Sequence, residues 1–236
     1  MKRDEMELSN ARLLALLQET GAADLAVLRE YNLPEAPEAL PEELVAAILQ
    51  HGSHDVKRHF SGMPSYLQLV RDVAKTLQIS WTEEETEAEL EQRIYLQVFH
   101  QAVEQLSLDE KEPLRQLLAK EGANAEDVER LFLEGTLRHF LPAVGYLVSW
   151  NVARLVATAF AREAGAGLLG EGVAAAWLGP LGLALGALVV GWDLAGPAYR
   201  KTIPTVVQIA YLREKARRGK EAGKGERVKQ HEKESD

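Results

Sequence analysis

His51, His54, Asp55 and His59 form the one cluster in the chain with the residue types of a metal site. Two imidazoles and a carboxylate can hold zinc or iron. Positions 51, 54 and 55 share a face only if a helix continues through Gly52, since neighbours on a helix are three and four residues apart. Glycine weakens a helix interior, so the cluster is read as polar surface and no metal is expected. Gly165-Ala166-Gly167-Leu168-Leu169-Gly170 spells G-x-G-x-x-G, with Asp193 near the distance of a ribose-binding acid. A dinucleotide site needs that motif at a strand-to-helix turn. A helical pattern precedes it here and no βαβ pattern exists, so no cofactor is expected. The carboxylates of Glu83–Glu91 are read as a solvated helix start. No serine sits in a G-x-S-x-G elbow and there is no P-loop. The chain is therefore read as non-enzymatic.

The elements that carry these residues are helical. Ala, Leu and Glu dominate, while β-branched and aromatic residues are sparse. Leucines 13, 14, 16 and 17 mark a first helix over 6–19, stopped by Thr20-Gly21. A short helix over 23–30 leads to Pro34, Pro37 and Pro41. Pro41 opens a helix over 42–50, where its missing N–H costs nothing. Ser61-Gly62-Met63-Pro64 reads as a turn before an amphipathic helix over 65–77. Thr82 and Glu85 form a capping box ahead of a long helix ending near Leu106. Asp109 is expected to cap the next helix, with Pro113 in its first turn, and Asn124 to cap one over 125–138.

The composition changes near His139. Nine glycines lie between 165 and 196, and two helices are expected, over 143–163 and 173–194. Residues 172–192 read GVAAAWLGPLGLALGALVVGW, 21 residues without a charge. As a helix they would span about 31 Å, close to the bilayer hydrocarbon core of about 30 Å. Gly182 and Gly186, four apart, would let helix backbones approach closely, in lipid or in a bundle. Arg200 and Lys201 follow the apolar run where cations could meet lipid phosphates, with Trp192 and Tyr199 at the interface. The other reading is that Tyr199 and Gln208 pack and hydrogen-bond between helices. A final helix is placed over 206–215, and the Lys/Glu/Gly-rich tail after it is expected to be disordered.

Net charge is −9 over 236 residues, unevenly spread. Residues 213–236 hold nine Lys/Arg against six Asp/Glu, leaving −12 on residues 1–212. An acidic body argues against nucleic acid as the main partner. There is no cysteine, which excludes disulfides, thiolate nucleophiles and Cys-based metal sites. The charged N-terminus, MKRDEMELSNARLL, lacks the apolar core of a secretory signal.

Three segments carry a family resemblance. Ala198-Tyr199-Arg200-Lys201-Thr202-Ile203-Pro204-Thr205-Val206-Val207-Gln208-Ile209-Ala210 resembles the signature of the bacterial YaaW family. Leu44–Gln50 (LVAAILQ) and Tyr66–Lys75 (YLQLVRDVAK) resemble two more family segments in the same order. Where the family usually has a Phe-Gly-Gly turn, this chain reads His51-Gly52-Ser53. The family is sometimes grouped distantly with ubiquinol–cytochrome c chaperones. That grouping implies an α-helical fold and an assembly role near membranes, and brings no catalytic residues.

The expectation is an all-α, multi-helix protein. Residues 1–138 make an acidic N-terminal helical domain, 139–215 a Gly-rich apolar helical region with a candidate membrane segment at 172–192, and 216–236 a charged tail. Its function is read as membrane-associated or membrane-responsive binding of a protein partner through the N-terminal domain, with membrane lipid as a second partner. Copies could pair through the Gly-rich helices. The place is the cytoplasm or the cytoplasmic side of the inner membrane. The alternative is a soluble chaperone-like assembly factor whose apolar C-terminal helices form its core.

Overall fold

The computed structural model describes residues 3–56, 65–120, 126, 129, 184 and 199–234. Among these residues the chain is all-α, with no strand. The helices are α1 (Arg3–Gln18), α2 (Ala22–Asn32), α3 (Pro41–Val56), α4 (Tyr66–Thr76), α5 (Glu87–Glu104), α6 (Leu108–Lys120) and α7 (Tyr199–Glu234).

The last helix lies at the centre. Every residue from Thr202 to Ala210 is buried, and α7 packs against α2, α3, α4 and α5. A helix buried on all sides cannot carry charge, and this stretch carries none. Around it, α1 packs on α3 and α4, α2 on α3, and α4 on α5. Ile203, Val206, Val207, Ile209 and Leu212 join Leu13, Leu17, Leu28, Leu44, Ile48, Tyr66, Ile94 and Phe99 in one core. Each such aliphatic side chain gains about 1.5–3 kcal/mol on burial. That outweighs the cost of Thr202 Oγ1 and Gln208 Oε1, which are buried with no hydrogen-bond partner among the described residues; such a loss is about 1–3 kcal/mol each. The core thus joins the N-terminal helices to residues 199–212, across the division expected near 138.

Local chemistry sets the helix ends. Pro41 does open α3, and Glu43 returns its carboxylate to the Leu40 N–H at 2.8 Å. Ser65 caps α4 by accepting from Gln68 N–H. Leu77, Gln78 and Ile79 end α4 in a Schellman turn: Ile79 N–H donates to Ala74 C=O at 2.8 Å and Gln78 N–H to Lys75 C=O at 3.0 Å. Gln78 takes the left-handed φ of 57° that this turn requires.

Four expectations are corrected here. The cap of α5 is Thr86, which forms a full capping box with Glu89. The sequence holds two overlapping T-x-x-E patterns, and only the second leads directly into the apolar stripe of Leu90, Ile94 and Val98. Thr82 and Glu85 instead close a turn, with Thr82 N–H on Glu85 Oε2 at 2.9 Å. The cap of α6 is Ser107 rather than Asp109, in a box with Glu110, so Pro113 lies inside the helix beyond its first turn. The helix α3 continues through Gly52 to Val56. Finally, α7 runs on to Glu234, so the tail expected to be disordered is helical. Its Lys, Glu, Arg and Ala favour helix, and extension from an already anchored helix avoids the nucleation cost.

Candidate functional site

Two carboxylates lie in the apolar stripe of α5. Glu87 and Glu91 are one turn apart, on the face that also carries Leu90, Ile94 and Val98. Both are buried, Glu91 to 1% exposure. The expectation of a solvated run over 83–91 therefore fails at these two positions. A buried carboxylate needs partners, and three helices supply them.

From α7, Arg213 donates Nε to Glu91 Oε2 at 2.8 Å and Nη2 to Glu91 Oε1 at 3.0 Å. From α4, the Tyr66 hydroxyl donates to Glu91 Oε1 at 2.8 Å. Arg213 Nη2 also lies 3.7 Å from Glu87 Oε2, an oxygen with no hydrogen-bond partner of its own. From α1, Ser9 lies beside Glu87 and favours its charged form, and its hydroxyl accepts the Leu67 N–H at 2.9 Å. Asn10 Oδ1 accepts the Tyr66 N–H at 2.9 Å. The first turn of α4 is thus held by two side chains of α1.

The electrostatics follow from burial. Desolvation raises the Glu87 carboxyl above its ordinary value, helped by Glu91 and opposed by Ser9, Arg213 and Arg12. Burial also pushes the Tyr66 phenol well up, and the neighbouring Glu91 charge adds to it. For Arg213 burial works against the charge, but Glu91, Tyr66 and Glu87 outweigh it and its pKa is raised. The bidentate geometry is the strong form of a charge-assisted pair. Paired carboxylates can serve general acid–base chemistry. Here both oxygens of Glu91 are already engaged and Tyr66 is fully enclosed. What the cluster does is clamp α7 to α4 and α5.

A second polar contact ties α7 to α2. The buried Asn32 donates Nδ2 to Thr205 Oγ1 at 3.0 Å and to Leu28 C=O at 2.8 Å. His51 Nε2 lies 3.2 Å from the Asn32 carbonyl oxygen, which it reaches as a donor.

The residues singled out in the sequence distribute as follows. Gln208 is buried in the core. Tyr199 is half-buried against the core, Lys201 is half-buried and Arg200 is exposed. Gly182, Gly186, Trp192, His59 and the G-x-G-x-x-G stretch lie outside the described residues, as does the helix expected over 143–163; of the helix expected over 173–194 only Ala184 is described, and it is helical and buried in the core. Positions 51, 54 and 55 do fall on one continuous helix, α3. No metal-holding group of His, Asp and Glu is found among the described residues. No helix among them is long and apolar enough to cross a membrane.

Missed by the sequence reading were Ser9, Tyr66, Glu87, Glu91 and Arg213. The available signal was the placement of Glu87 and Glu91 inside an apolar i, i+3, i+4 stripe.

The chain resembles known proteins over most of its length. The chain is 29% identical over 220 residues to UPF0174 protein YaaW of Escherichia coli (strain K12), covering 89% of each chain. The YaaW protein of Escherichia coli O157:H7 matches with the same identity and coverage. A UPF0174 protein of Helicobacter pylori (strain J99) is 27% identical over 194 residues, 76% of this chain and 73% of the relative. These relatives support the resemblance to the YaaW family. No family model matches the chain and no solved structure does. The YaaW signature at 198–210 coincides with the start and the fully buried stretch of α7. The resemblance at 66–75 coincides with α4, and that at 44–50 with the first part of α3.

Proposed function

We propose that the protein is a non-enzymatic, membrane-responsive binding protein of the cytoplasmic side of the bacterial inner membrane. Its helical body would present a protein partner with a surface, and residues 172–192 would meet lipid. One observation carries this reading. The uncharged run ends at Trp192, and seven residues later the chain enters α7, whose residues 202–210 are locked in the core. Any engagement of the run with lipid would therefore be tied to a fixed helix of the body. Gly182 and Gly186 would serve close helix pairing within the same region, including pairing between copies.

The test is fractionation of cells expressing the full chain, with carbonate and detergent washes, alongside Leu185→Arg. A charge near the centre of an inserted helix costs about 2.5–3.5 kcal/mol on insertion scales. Retention of the parent chain through carbonate, and its loss in Leu185→Arg with the body still folded, is the expected result. Parent protein found wholly in the soluble fraction and unable to bind vesicles would sink the reading.

The burial of Thr202 and Gln208 favours a second reading. If the first half of α7 is ordinary core, the apolar region before it could be core too, and the protein a soluble assembly factor. Leu185→Arg would then bury an unpaired charge and destabilise the protein rather than relocate it.

A further inference from the structure

Beyond Arg213, α7 changes character abruptly. Residues 213–220 hold five Lys/Arg and one Glu, against a body of net charge −12. Arg213 is drawn into the core, while Lys215, Arg217, Arg218 and Lys220 are exposed. Their partners grade outward. Arg213 meets a Glu91 that is 1% exposed, Lys215 meets Asp24 at 2.6 Å, and Lys220 meets Glu19 at 3.4 Å with both side chains more than half exposed. Arg217 pairs with Glu214 at 2.8 Å on α7 itself. Asp24 belongs to α2 and Glu19 directly follows α1, so Lys215 and Lys220 are held against the acidic body.

Exposed ion pairs of this kind are worth about 0–1 kcal/mol. They are therefore readily exchanged for another anion of higher local density. A surface of phosphodiester headgroups offers that, at roughly 1 kcal/mol per Lys or Arg. The acidic body would be repelled by the same surface, which favours approach through this basic part of α7. The strip lies on the helix that follows the uncharged run.

We propose that Lys215, Arg217, Arg218 and Lys220, spread around this part of α7, form a docking strip for an anionic bilayer surface, with Lys215 and Lys220 engaged in the free protein by Asp24 and Glu19. The inference rests on the membrane-responsive reading and names the lipid chemistry that reading lacks. It also predicts competition: lipid and the body's own carboxylates bind the same cations.

The test uses the purified full chain in co-sedimentation with neutral phosphatidylcholine vesicles and with mixed phosphatidylcholine–phosphatidylglycerol vesicles. Binding should be tighter to the anionic vesicles, and the difference should vanish at high salt. Replacing Lys215, Arg217, Arg218 and Lys220 by Gln should weaken the anionic preference roughly fivefold per cation, with helical circular dichroism retained. Glu19→Gln with Asp24→Asn should strengthen it, by up to about fivefold. Equal binding to both vesicles, or an unchanged preference in the Gln variant, overturns the strip and leaves the membrane reading standing. Absence of binding to either vesicle overturns both. A salt-sensitive affinity for duplex DNA with no preference for anionic vesicles also overturns the strip.

Discussion

Arg213 and Glu91 are 122 residues apart in sequence, and the Arg213 guanidinium grips both oxygens of the Glu91 carboxylate. This pair marks the point where α7 leaves the core. Inward of it, residues 202–210 are uncharged and buried; outward, Lys215, Arg217, Arg218 and Lys220 are charged and exposed. Removing one partner leaves a charge buried without its counter-ion, which costs about 3–5 kcal/mol. Arg213→Ala should therefore lower stability by about that much in urea unfolding. The double change Arg213→Met with Glu91→Leu should recover most of the loss, because neither ion then needs solvation. A double variant as unstable as the single one would show that the helix contact, not the charge, is what matters.

Glu87 gives the stability a pH slope of unusual sign for a carboxylate. Its folded pKa is raised, by burial first, so the folded chain binds the proton more tightly than the unfolded chain. Its contribution is fully present below the unfolded value and is lost as pH rises through the folded one. Glu87→Gln keeps the shape of the side chain and removes the titration. The variant should gain on the parent as pH rises from the ordinary glutamate range toward neutrality. Urea midpoints measured across that range check it; parallel curves for the two proteins would contradict it.

The doubled capping pattern gives a sharp local contrast. Thr86→Ala removes the cap of α5 and should cost about 1 kcal/mol. Thr82→Ala removes no cap and should change stability by no more than about 0.5 kcal/mol. The two thermal melts, run side by side, would reverse this order if α5 began at Thr82.

Gln78 holds a left-handed conformation at the end of α4. That conformation costs a non-glycine residue about 1–2 kcal/mol, while glycine loses about 0.5–1 kcal/mol through chain entropy. Gln78→Gly should thus raise stability by up to about 1 kcal/mol, and Gln78→Val should lower it. A destabilised Gly variant, seen by calorimetry, would mean that the Gln78 side chain makes a compensating contact.

Most of the helices could be read from the chain. Pro41 announced α3, and the apolar spacing through Leu67, Val70 and Ala74 announced α4. These features act within one or two turns, so the residues responsible are neighbours in sequence. Ends were misread where two local solutions competed, as at Thr82 against Thr86 and at Ser107 against Asp109. Choosing between them depends on which register buries the stripe that follows, and that is a property of the neighbouring helices.

The clamp could not be read in the same way. Glu87 and Glu91 look like any acidic helix start until Leu90 and Ile94 turn that face inward and Arg213 arrives from the far end of the chain. Nothing in the charge-free composition of Thr202 to Ala210 names its surroundings. Local composition determines that such a helix must avoid water; only the packing of α2, α3, α4 and α5 around it decided that the core of this protein is its solvent. Hydrophobic burial is non-directional, so a sequence states the need for it while the tertiary structure chooses the partner.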